Sequence, residues 1–549
     1  MSRDKVKRAR VGVVSFKDVD TVVSMWRARV QRDSNAVGLR YFDSTFRVGE
    51  IDRASDALAW WLQEHGVGPG DRVGIQLQNI PAFIFGLLAT WKVGAAGLLL
   101  SPMYRGRELR ALVDDSGAVG LICGDEILGS VLAACEGSTV KWILSASALD
   151  YQSRNDPRVF VSSSRLEASA DGDVAEVMRE CDGQMPSSVE VSPRDIALFA
   201  YTSGTTGPAK GATNTHANVV AVSTSFAKWA RVEPGDVVFA LAPLFHITGA
   251  VIDGVLALLH DTTLVLSGRF NAEVALDSFV EHGVTYTICS ITVFNAMLAI
   301  SRRGREWFPR AKYLYSGGAP IPPTTVERFE EAFGVYIHNA YGMTESTSGV
   351  IAVPAGERAP VDLASGTLSI GKALPGLSAE VIDSSGAVLP PRCQGELVIA
   401  GPQIVPGYWN NPGATEESLP NGSLRTGDGA FIDEEGWVYL VDRLKDQINV
   451  SGYKVWPREV EDVLYQHEAV FEAGVVGEPD EYQGESVVAF VSLRQGSTLE
   501  PSELIEWCRG ELAAYKCPRR IEIVDDLPKT LTGKIRRRDL RSGSMPGEK

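Results

Sequence analysis

Helical and strand-like hydrophobic patterns alternate along most of the chain. Apolar residues recur at helical spacing over residues 54–65, residues 71–77 read as a strand, and the next helix is predicted over residues 81–93. Further strand-like runs follow at residues 118–123, 141–145, 196–200, 262–266, 285–289 and 313–315. This alternation predicts a layered α/β architecture with parallel sheets.

The pattern changes twice towards the C-terminus. From about residue 370, alternating strands separated by Gly and Pro predict a β-rich subdomain, with examples at residues 379–383 and 395–400. A helix-strand-strand-helix-strand pattern then fits residues 457–466, 473–476, 486–493, 501–511 and 521–524. We therefore expect a large N-terminal domain of layered α/β subdomains plus the β-rich subdomain over residues 1–442. A small α+β domain should follow over residues 443–549.

Composition and charge limit which binding partners and which cellular location are expected. The 549 residues carry a formal net charge of -16, which disfavours nucleic acid and anionic membrane surfaces as partners. The longest apolar run, residues 80–91, is too short to cross a bilayer, which takes about 20 residues. The seven cysteines form no C-x-x-C pair, so we expect a reducing, cytoplasmic location. The acidic, apolar-poor stretch 165–189 is predicted to be an exposed connection.

A Gly- and hydroxyl-rich loop follows the strand at residues 196–200. Its sequence, YTSGTTGPAKGAT at residues 201–213, offers hydroxyl and amide donors and the charge of Lys210, as an anion site requires. The phosphate-loop pattern G-x-x-x-x-G-K-[ST] fails at Ala209 and Gly211. Taken alone, the loop is either a polyphosphate cradle or a solvated surface loop.

Further motifs decide between these interpretations through their order along the chain. They are Tyr341-Gly-Met-Thr-Glu-Ser346, Arg425-Thr-Gly-Asp428, Asp442-Arg-Leu-Lys-Asp446, Ser451-Gly-Tyr-Lys-Val-Trp-Pro457 and Lys529-Thr-Leu-Thr-Gly-Lys534. With them the chain resembles, over essentially its whole length, the adenylate-forming superfamily of acyl-CoA synthetases, firefly-type luciferases and peptide-synthetase adenylation domains. The resemblance implies that a carboxylate attacks the α-phosphorus of MgATP, giving an acyl adenylate and pyrophosphate. The thiol of coenzyme A then displaces AMP.

The resemblance also implies roles for individual residues. Catalytic roles fall to Lys534, Thr344, Glu345, Lys210 and His246, with Glu345 as the Mg²⁺ ligand. Cations and donors aimed at a polyanion under attack should supply much of the catalysis. In the nucleotide site, Tyr341 would stack on adenine and Asp428 would accept hydrogen bonds from the ribose hydroxyls. The full implied ATP and AMP site is Thr202, Ser203, Gly204, Thr205, Thr206, Gly207, Lys210, Gly317, Gly318, Ala319, Asn339, Ala340, Tyr341, Gly342, Thr344, Asp428, Arg443 and Lys534.

The thioester step and the domain movement are assigned in the same way. Ser451, Gly452 and Lys454 would serve the coenzyme A step, with Gly452 leaving room for the thin pantetheine arm. Lys445 occupies the family's hinge position. Two residues depart from the family pattern: Ala209 replaces the usual Pro, and Ala400 stands where many relatives carry Arg. Neither departure touches a catalytic role.

The segment at residues 243–249 resembles the entrance to the family's acyl pocket. His246 would lie near the substrate carboxylate there, although a core histidine is an equal interpretation. No Asp lies between Ala242 and Gly249 to pair with a substrate amine, so a free α-amino acid is not expected. The predicted pocket is largely apolar and consists of His246, Ile247, Ala250, Val293, Phe294, Met297, Gly342, Met343 and Val350. Such a pocket suits a fatty, alicyclic or aromatic acid better than a dicarboxylate. The spelling Ser451-Gly-Tyr-Lys-Val-Trp-Pro-Arg-Glu-Val460 resembles bacterial medium- and long-chain fatty-acyl-CoA ligases, so the resemblance favours a medium- or long-chain fatty acid, and next an alicyclic or aromatic acid.

Two other functional classes are compatible with the sequence. One is an adenylating enzyme that loads a separate carrier protein, and the other is a catalytically silent acyl- or nucleotide-binding relative. The presence of Lys534, Glu345 and Asp428 argues against a relative without catalytic activity. Free coenzyme A is the simplest acceptor, because no carrier segment follows the lysine motif. The oligomeric state is left open, with a homodimer as one option.

Overall fold

The computed structural model describes residues 20–160, 165, 170–202, 209–319, 321–443, 446–450, 453–480, 484–530 and 535–541, with residues 442, 443, 453 and 454 by their backbone alone. Its strands are β1 Val37–Tyr41, β2 Ser44–Arg47, β3 Arg72–Gln76, β4 Ala96–Leu99, β5 Gly120–Gly124, β6 Trp142–Ala146, β7 Gly172–Asp173, β8 Ile196–Tyr201, β9 Gly211–Thr215, β10 Val237–Phe239, β11 Thr263–Leu266, β12 Tyr286–Cys289, β13 Tyr313–Ser316, β14 Ile337–Met343, β15 Ser348–Ala352, β16 Lys372–Ala373, β17 Ser378–Ile382, β18 Gly395–Ala400, β19 Ser423–Ile432, β20 Val438–Arg443, β21 Ile448–Val450, β22 Tyr453–Val455, β23 Val470–Asp480, β24 Gly484–Leu493 and β25 Arg520–Ile523.

The α-helices are α1 Val22–Arg32, α2 Val48–Glu64, α3 Pro81–Lys92, α4 Gly106–Ser116, α5 Leu128–Cys135, α6 Val174–Glu180, α7 His216–Trp229, α8 Leu256–Leu259, α9 Ala272–His282, α10 Ile291–Ala299, α11 Pro323–Phe333, α12 Pro412–Ser418, α13 Pro457–Gln466, α14 Pro501–Glu511 and α15 Arg537–Arg541. A π-helix, Gly249–Val255, leads directly into α8. None of the helices among these residues is long and apolar enough to cross a membrane.

Two large sheets form the N-terminal part of the molecule. Their strand orders are β7-β6-β5-β3-β4-β8-β9 and β16-β15-β14-β13-β12-β10-β11-β1-β2. The central strands of both are parallel, and antiparallel pairs occur at the edges, such as β8 with β9 and β14 with β15. The largest apolar cluster joins strands of both sheets to α2, α3, α7 and the π-helix. Parallel strands buried in this way read as continuous apolar runs, which is why the sequence revealed them.

Two smaller sheets complete the fold. The β-rich subdomain is the antiparallel sheet β17-β18-β19-β20, as the alternating pattern predicted. The C-terminal sheet has the order β22-β21-β24-β23, with β25 beside β24, and α13 and α14 share its apolar cluster. These features confirm the predicted α/β class with a small α+β C-terminal region.

One prediction was wrong within residues 165–189. The structure places β7 and α6 there, and the side chains of Val174 and Val177 are buried. Asp173 caps α6 by accepting hydrogen bonds from the backbone N–H groups of Ala175 and Glu176. The sequence did not predict this helix because it is short, buries only two valines and lies in an acidic segment. Its N-cap, Asp173, is itself one of the acidic residues.

Candidate active site

The ends of the Gly-rich loop meet where β8 and β9 pair. Tyr201 lies opposite Gly211 as the last register pair of the two strands. Beyond it, the Thr202 N–H donates to the Lys210 carbonyl at 3.0 Å, and the Lys210 N–H donates to Thr202 Oγ1 at 3.4 Å. Thr202, at the end of β8, and Lys210, just before β9, thus lie side by side at the carboxyl edge of the parallel strands, where α/β proteins bind ligands. Five predicted loop residues lie outside the described residues: Ser203, Gly204, Thr205, Thr206 and Gly207.

A tight turn between β14 and β15 presents Thr344 and Glu345. The Met343 N–H donates to Ser346 Oγ at 2.9 Å, and the Thr347 N–H donates to the Thr344 carbonyl at 3.1 Å. At Gly342 an added Cβ would lie 1.8 Å from the Ser348 carbonyl oxygen, so a side chain at this position would separate the two strands. The hairpin therefore fixes the predicted phosphate and metal residues on rigid backbone.

The predicted adenine and ribose residues come together across two subdomains. The Tyr341 hydroxyl on β14 donates to Asp428 Oδ2 on β19 at 2.6 Å, although the residues are 87 positions apart. Asp428 is in register with Arg443 on β20, whose side chain is not described. This contact places the β-rich sheet against the end of β14.

The glycine turn after β13 lies beside the same strand. Ser316 is in register with Asn339, and a Cβ at Gly317 would lie 2.9 Å from the Ala340 carbonyl oxygen. Gly318 has φ +81°, a left-handed conformation that favours glycine, and Ala319 follows it. The buried Asn339 amide donates to the Ser369 carbonyl at 3.2 Å. The predicted adenine-binding residues thus line the ends of β13 and β14, and their contacts with a nucleotide stay predictions.

Sequence reasoning missed Tyr408. Its hydroxyl donates to Glu345 Oε1 at 2.5 Å, and Lys210 Nζ lies 5.0 Å from the centre of its ring. The signal that the sequence offers for it is the aromatic pair in Pro406-Gly-Tyr-Trp-Asn410, in a short segment between two prolines. Tyr408 links the loop lysine to the predicted metal carboxylate.

The Glu345 carboxylate fits a magnesium ion that would arrive with a nucleotide. No group of three or more His, Cys, Asp or Glu side chains in the described part of the chain could hold a metal ion. Glu345 is buried and oriented by Tyr408, and a carboxylate is a hard oxygen ligand. Magnesium commonly combines one or two protein carboxylates with phosphate oxygens and water. Glu345 suits that single role.

His246 lies in the segment that joins β10 to the π-helix. Its Nδ1 accepts a hydrogen bond from the Thr248 N–H at 3.4 Å, which favours the tautomer with the proton on Nε2. The side chain is half-buried, and desolvation lowers its pKa to about 4. The imidazole is therefore neutral near pH 7 and can donate through Nε2.

Asn79, which was also missed, anchors this segment. Its Nδ2 donates to the carbonyls of Ala240 and Ala242 at 2.8 and 3.0 Å, and its Oδ1 accepts from the Leu244 N–H at 2.8 Å. The residue follows β3 and is buried. It connects one large sheet to the backbone that leads to His246.

The predicted acyl-pocket residues belong to three apolar clusters. Ile247 and Ala250 lie in the largest cluster, Phe294 and Met297 in a second with Val293 at its edge, and Val350 in a third with Met343 at its edge. The π-helix approaches β15 closely, since a Cβ at Gly349 would lie 3.0 Å from Ile252 Cδ1. The predicted residues are thus distributed over three apolar cores, and their contact with one another around a substrate stays a prediction.

The remaining assignments fall largely outside the described residues. These are Lys534, the hinge residue Lys445, and Ser451 and Gly452 of the coenzyme A step; Lys454 is described by its backbone in β22. Their roles stay predictions.

Comparison with known proteins identifies the family. The AMP-binding enzyme family matches residues 26–409, and the AMP-binding enzyme C-terminal domain matches residues 459–534. The chain is 31% identical to a long-chain-fatty-acid–CoA ligase of Escherichia coli O6:H1, over 95% of this chain and 94% of the relative. It is 32% identical to a feruloyl-CoA synthase of an Amycolatopsis species, over 94% of this chain and 98% of the relative.

A solved structure agrees with the sequence comparison. The crystal structure of a benzoate CoA ligase from Burkholderia xenovorans LB400 superposes with a TM-score of 0.82 at 25% identity, covering 95% of this chain and all of that one (100%). The family match, the fold and the geometry of the site agree with one another. The chain belongs to the AMP-binding enzyme family, as an AMP-forming acyl-CoA synthetase.

Proposed function

We propose that the enzyme activates a medium- or long-chain fatty acid with MgATP and transfers it to coenzyme A, with a ring-bearing acid as the second substrate class. The observation that carries this proposal is the predominantly apolar surroundings of the predicted acyl-pocket residues. Ile247, Ala250 and Val350 are all buried among apolar side chains. The named activities of the two relatives, on a long-chain fatty acid and on a ring-bearing acid, support the same two classes.

The geometry supports a division of labour in the first step. A substrate carboxylate oxygen would attack the α-phosphorus while the bond to pyrophosphate breaks. Lys210, at the end of the Gly-rich loop, would balance the charge of the departing pyrophosphate. Magnesium, held in part by Glu345, would neutralise phosphate charge when bound. The neutral His246 would donate from Nε2 to a carboxylate oxygen and so orient the nucleophile.

The second step would transfer the acyl group from AMP to coenzyme A. The sulfur of coenzyme A would attack the acyl carbonyl, the bond to AMP would break, and the thiol proton would leave to solvent. The overall reaction converts acid, ATP and coenzyme A to acyl-CoA, AMP and pyrophosphate. Lys534 would serve the first step only, since a cation is needed where the carboxylate meets the phosphate.

A panel of acids tests the substrate assignment. Purified enzyme with MgATP and coenzyme A is given octanoate, palmitate, cyclohexanecarboxylate, ferulate, benzoate and malonate in separate reactions, and acyl-CoA is identified by mass. We expect the highest kcat/KM with octanoate or palmitate. A clear preference for malonate would contradict an apolar pocket. Pyrophosphate release without consumption of coenzyme A would instead favour transfer to a carrier protein.

The variant Lys534→Ala tests the separation of the two steps. It should lose at least about a hundredfold in pyrophosphate release, as loss of a charge-stabilising group typically costs. Given preformed acyl adenylate and coenzyme A, it should form thioester at close to the wild-type rate. Equal losses in both assays would show that Lys534 serves both steps or the fold.

A further inference from the structure

The side chain of Tyr408 contacts two residues that the proposed mechanism uses. It is 8% exposed, its hydroxyl donates to Glu345 Oε1 at 2.5 Å, and Lys210 Nζ lies 5.0 Å from its ring centre. The tyrosine thus lies between a carboxylate and a cation. The ring attracts the cation without neutralising it, whereas a carboxylate partner would cancel its charge.

Backbone hydrogen bonds hold Tyr408 in place. The Gly407 carbonyl accepts from the Thr213 N–H at 3.2 Å and from Thr213 Oγ1 at 2.8 Å, and the Trp409 N–H donates to the Gly211 carbonyl at 2.8 Å. These bonds attach the tyrosine to β9, the strand that begins immediately after Lys210. Tyr408 and Lys210 are therefore both attached to β9.

The same segment is also attached to the carboxylate. The Val405 N–H donates to the Glu345 carbonyl at 2.9 Å, so Glu345 is held through both its backbone and its side chain. The Tyr408 N–H donates to Thr415 Oγ1 at 2.9 Å, which ties the segment to α12. Residues 405–409 thus join the closing strand of the Gly-rich loop to the β14–β15 turn.

The Tyr408 hydroxyl acts as a hydrogen-bond donor towards the Glu345 carboxylate. A hydrogen bond to a charged acceptor is stronger than one between neutral groups. It therefore fixes the direction in which the Glu345 carboxylate points.

We propose that Tyr408 is a positioning residue that holds the Lys210 ammonium and the Glu345 carboxylate at a fixed separation. At that separation the ammonium would face the phosphates of MgATP while the carboxylate faces its magnesium ion. This inference rests on the roles proposed above for Lys210 and Glu345. It predicts that the hydroxyl and the ring have separable effects. The hydroxyl should matter for the metal-bound nucleotide, and the ring for nucleotide with or without metal.

Two variants and a matched control separate these effects. Tyr408→Phe keeps the ring and removes the hydroxyl, and Tyr408→Leu removes both. Tyr439→Phe is the control, because Tyr439 is also buried and donates to a carboxylate, Asp433 Oδ2, at 3.2 Å. Binding of MgATP, and of ATP with EDTA, is measured by isothermal titration without acid, and the unliganded melting temperature reports folding.

We expect Tyr408→Phe to weaken MgATP binding by about tenfold and to leave metal-free ATP within about twofold, as loss of a hydrogen bond to a charged group implies. Tyr408→Leu should weaken both, and the control neither. Equal effects of Tyr408→Phe on both forms of ATP, or no effect, would overturn the proposal. If Tyr408→Leu does not fold, the Phe variant still decides. A failed acid panel with this binding pattern intact would refute the proposed substrates and leave the positioning role standing.

Discussion

Burial, and not a charged partner, sets the protonation of His246. Its pKa falls to about 4 because desolvation disfavours the imidazolium. We predict that the ring signals of His246 do not titrate between pH 5 and 8 in NMR spectra of histidine-labelled protein, with the resonance assigned by its loss in His246→Gln. A midpoint near the ordinary value of about 6.5 would show that the ring is solvated and charged at mildly acidic pH.

The lowered pKa of His246 also makes the free energy of unfolding depend on pH. The unfolded chain binds a proton at His246 below about pH 6.5, whereas the folded protein does so only near pH 4. The free energy of unfolding therefore falls as the pH drops between these two values. His260 and His338, whose pKa values desolvation also lowers to about 4, act in the same direction. Stability below pH 6.5 thus reports several buried imidazoles together.

Single-residue contacts were the part of the site that sequence could least predict. The motifs pointed to Glu345 and Lys210, but Tyr408 lies 63 residues from Glu345, and their contact depends on how one turn packs on another subdomain. For His246 the sequence left two interpretations open. The structure adds that its Nδ1 faces the local backbone, which the residue type alone does not reveal.

At the scale of elements, periodicity predicted most boundaries closely. The predicted strand at 395–400 and the helices at 457–466 and 501–511 coincide with β18, α13 and α14. Proline at the first position of both helices makes their starts readable. In contrast, α2 begins at Val48, six residues before the predicted start, because Val48 and Ile51 extend its buried face. Such extensions depend on the neighbouring elements and not on local pattern.

The anchoring of the His246 segment gives an element-scale prediction. Asn79→Ala removes three hydrogen bonds and leaves buried backbone groups of Ala240, Ala242 and Leu244 without this partner. We expect a loss of about 2–3 kcal/mol in the free energy of unfolding. The KM for the best acid of the panel should also rise at least about threefold, because the segment that carries His246 loosens.

A second buried amide provides the control for this prediction. Gln76 lies on β3, three residues before Asn79, and its Nε2 donates to the carbonyls of Ser101 and Tyr104 at 2.9 and 3.2 Å, towards a different loop. Gln76→Ala should also lower the melting temperature, with the acid KM within about twofold of wild type. An equal rise of KM in both variants would mean that general destabilisation, and not anchoring, explains the effect.

At the scale of the whole molecule, the C-terminal region contacts the β-rich subdomain beside an open cleft. The cleft has a volume of about 460 Å³ and is lined by Gln394, Gly395 and Gly429 on one side and by Trp456 and Lys516 on the other. Arg458 Nη1 donates to the Leu440 carbonyl at a long 3.5 Å. An interface interrupted by an open cleft gains less packing energy than one that is close-packed throughout. This contact is therefore suited to release.

Release of this contact would explain how one C-terminal region serves two steps. The family resemblance assigns Lys534 and Gly452 to different half-reactions, and in those roles both would face the same acyl adenylate. The order of motifs predicted two functional regions, but the orientation between them depends on an interface that no local pattern encodes. We therefore propose that residues 443–549 rotate about Lys445 between the steps, as domain movements concentrate their backbone change in a few linker residues.

The variant Lys445→Pro tests this rotation. Proline fixes φ near -65° and restricts the preceding residue, so it should trap the orientation which that angle permits, and we expect this to be the adenylating one. Single-turnover pyrophosphate release should stay close to the wild-type rate, while thioester formation from added acyl adenylate should slow at least about tenfold. Lys445→Ala, which leaves φ free, should retain both activities. Unimpaired thioester formation in a folded Lys445→Pro protein would place the pivot elsewhere or show that the two steps need no rotation.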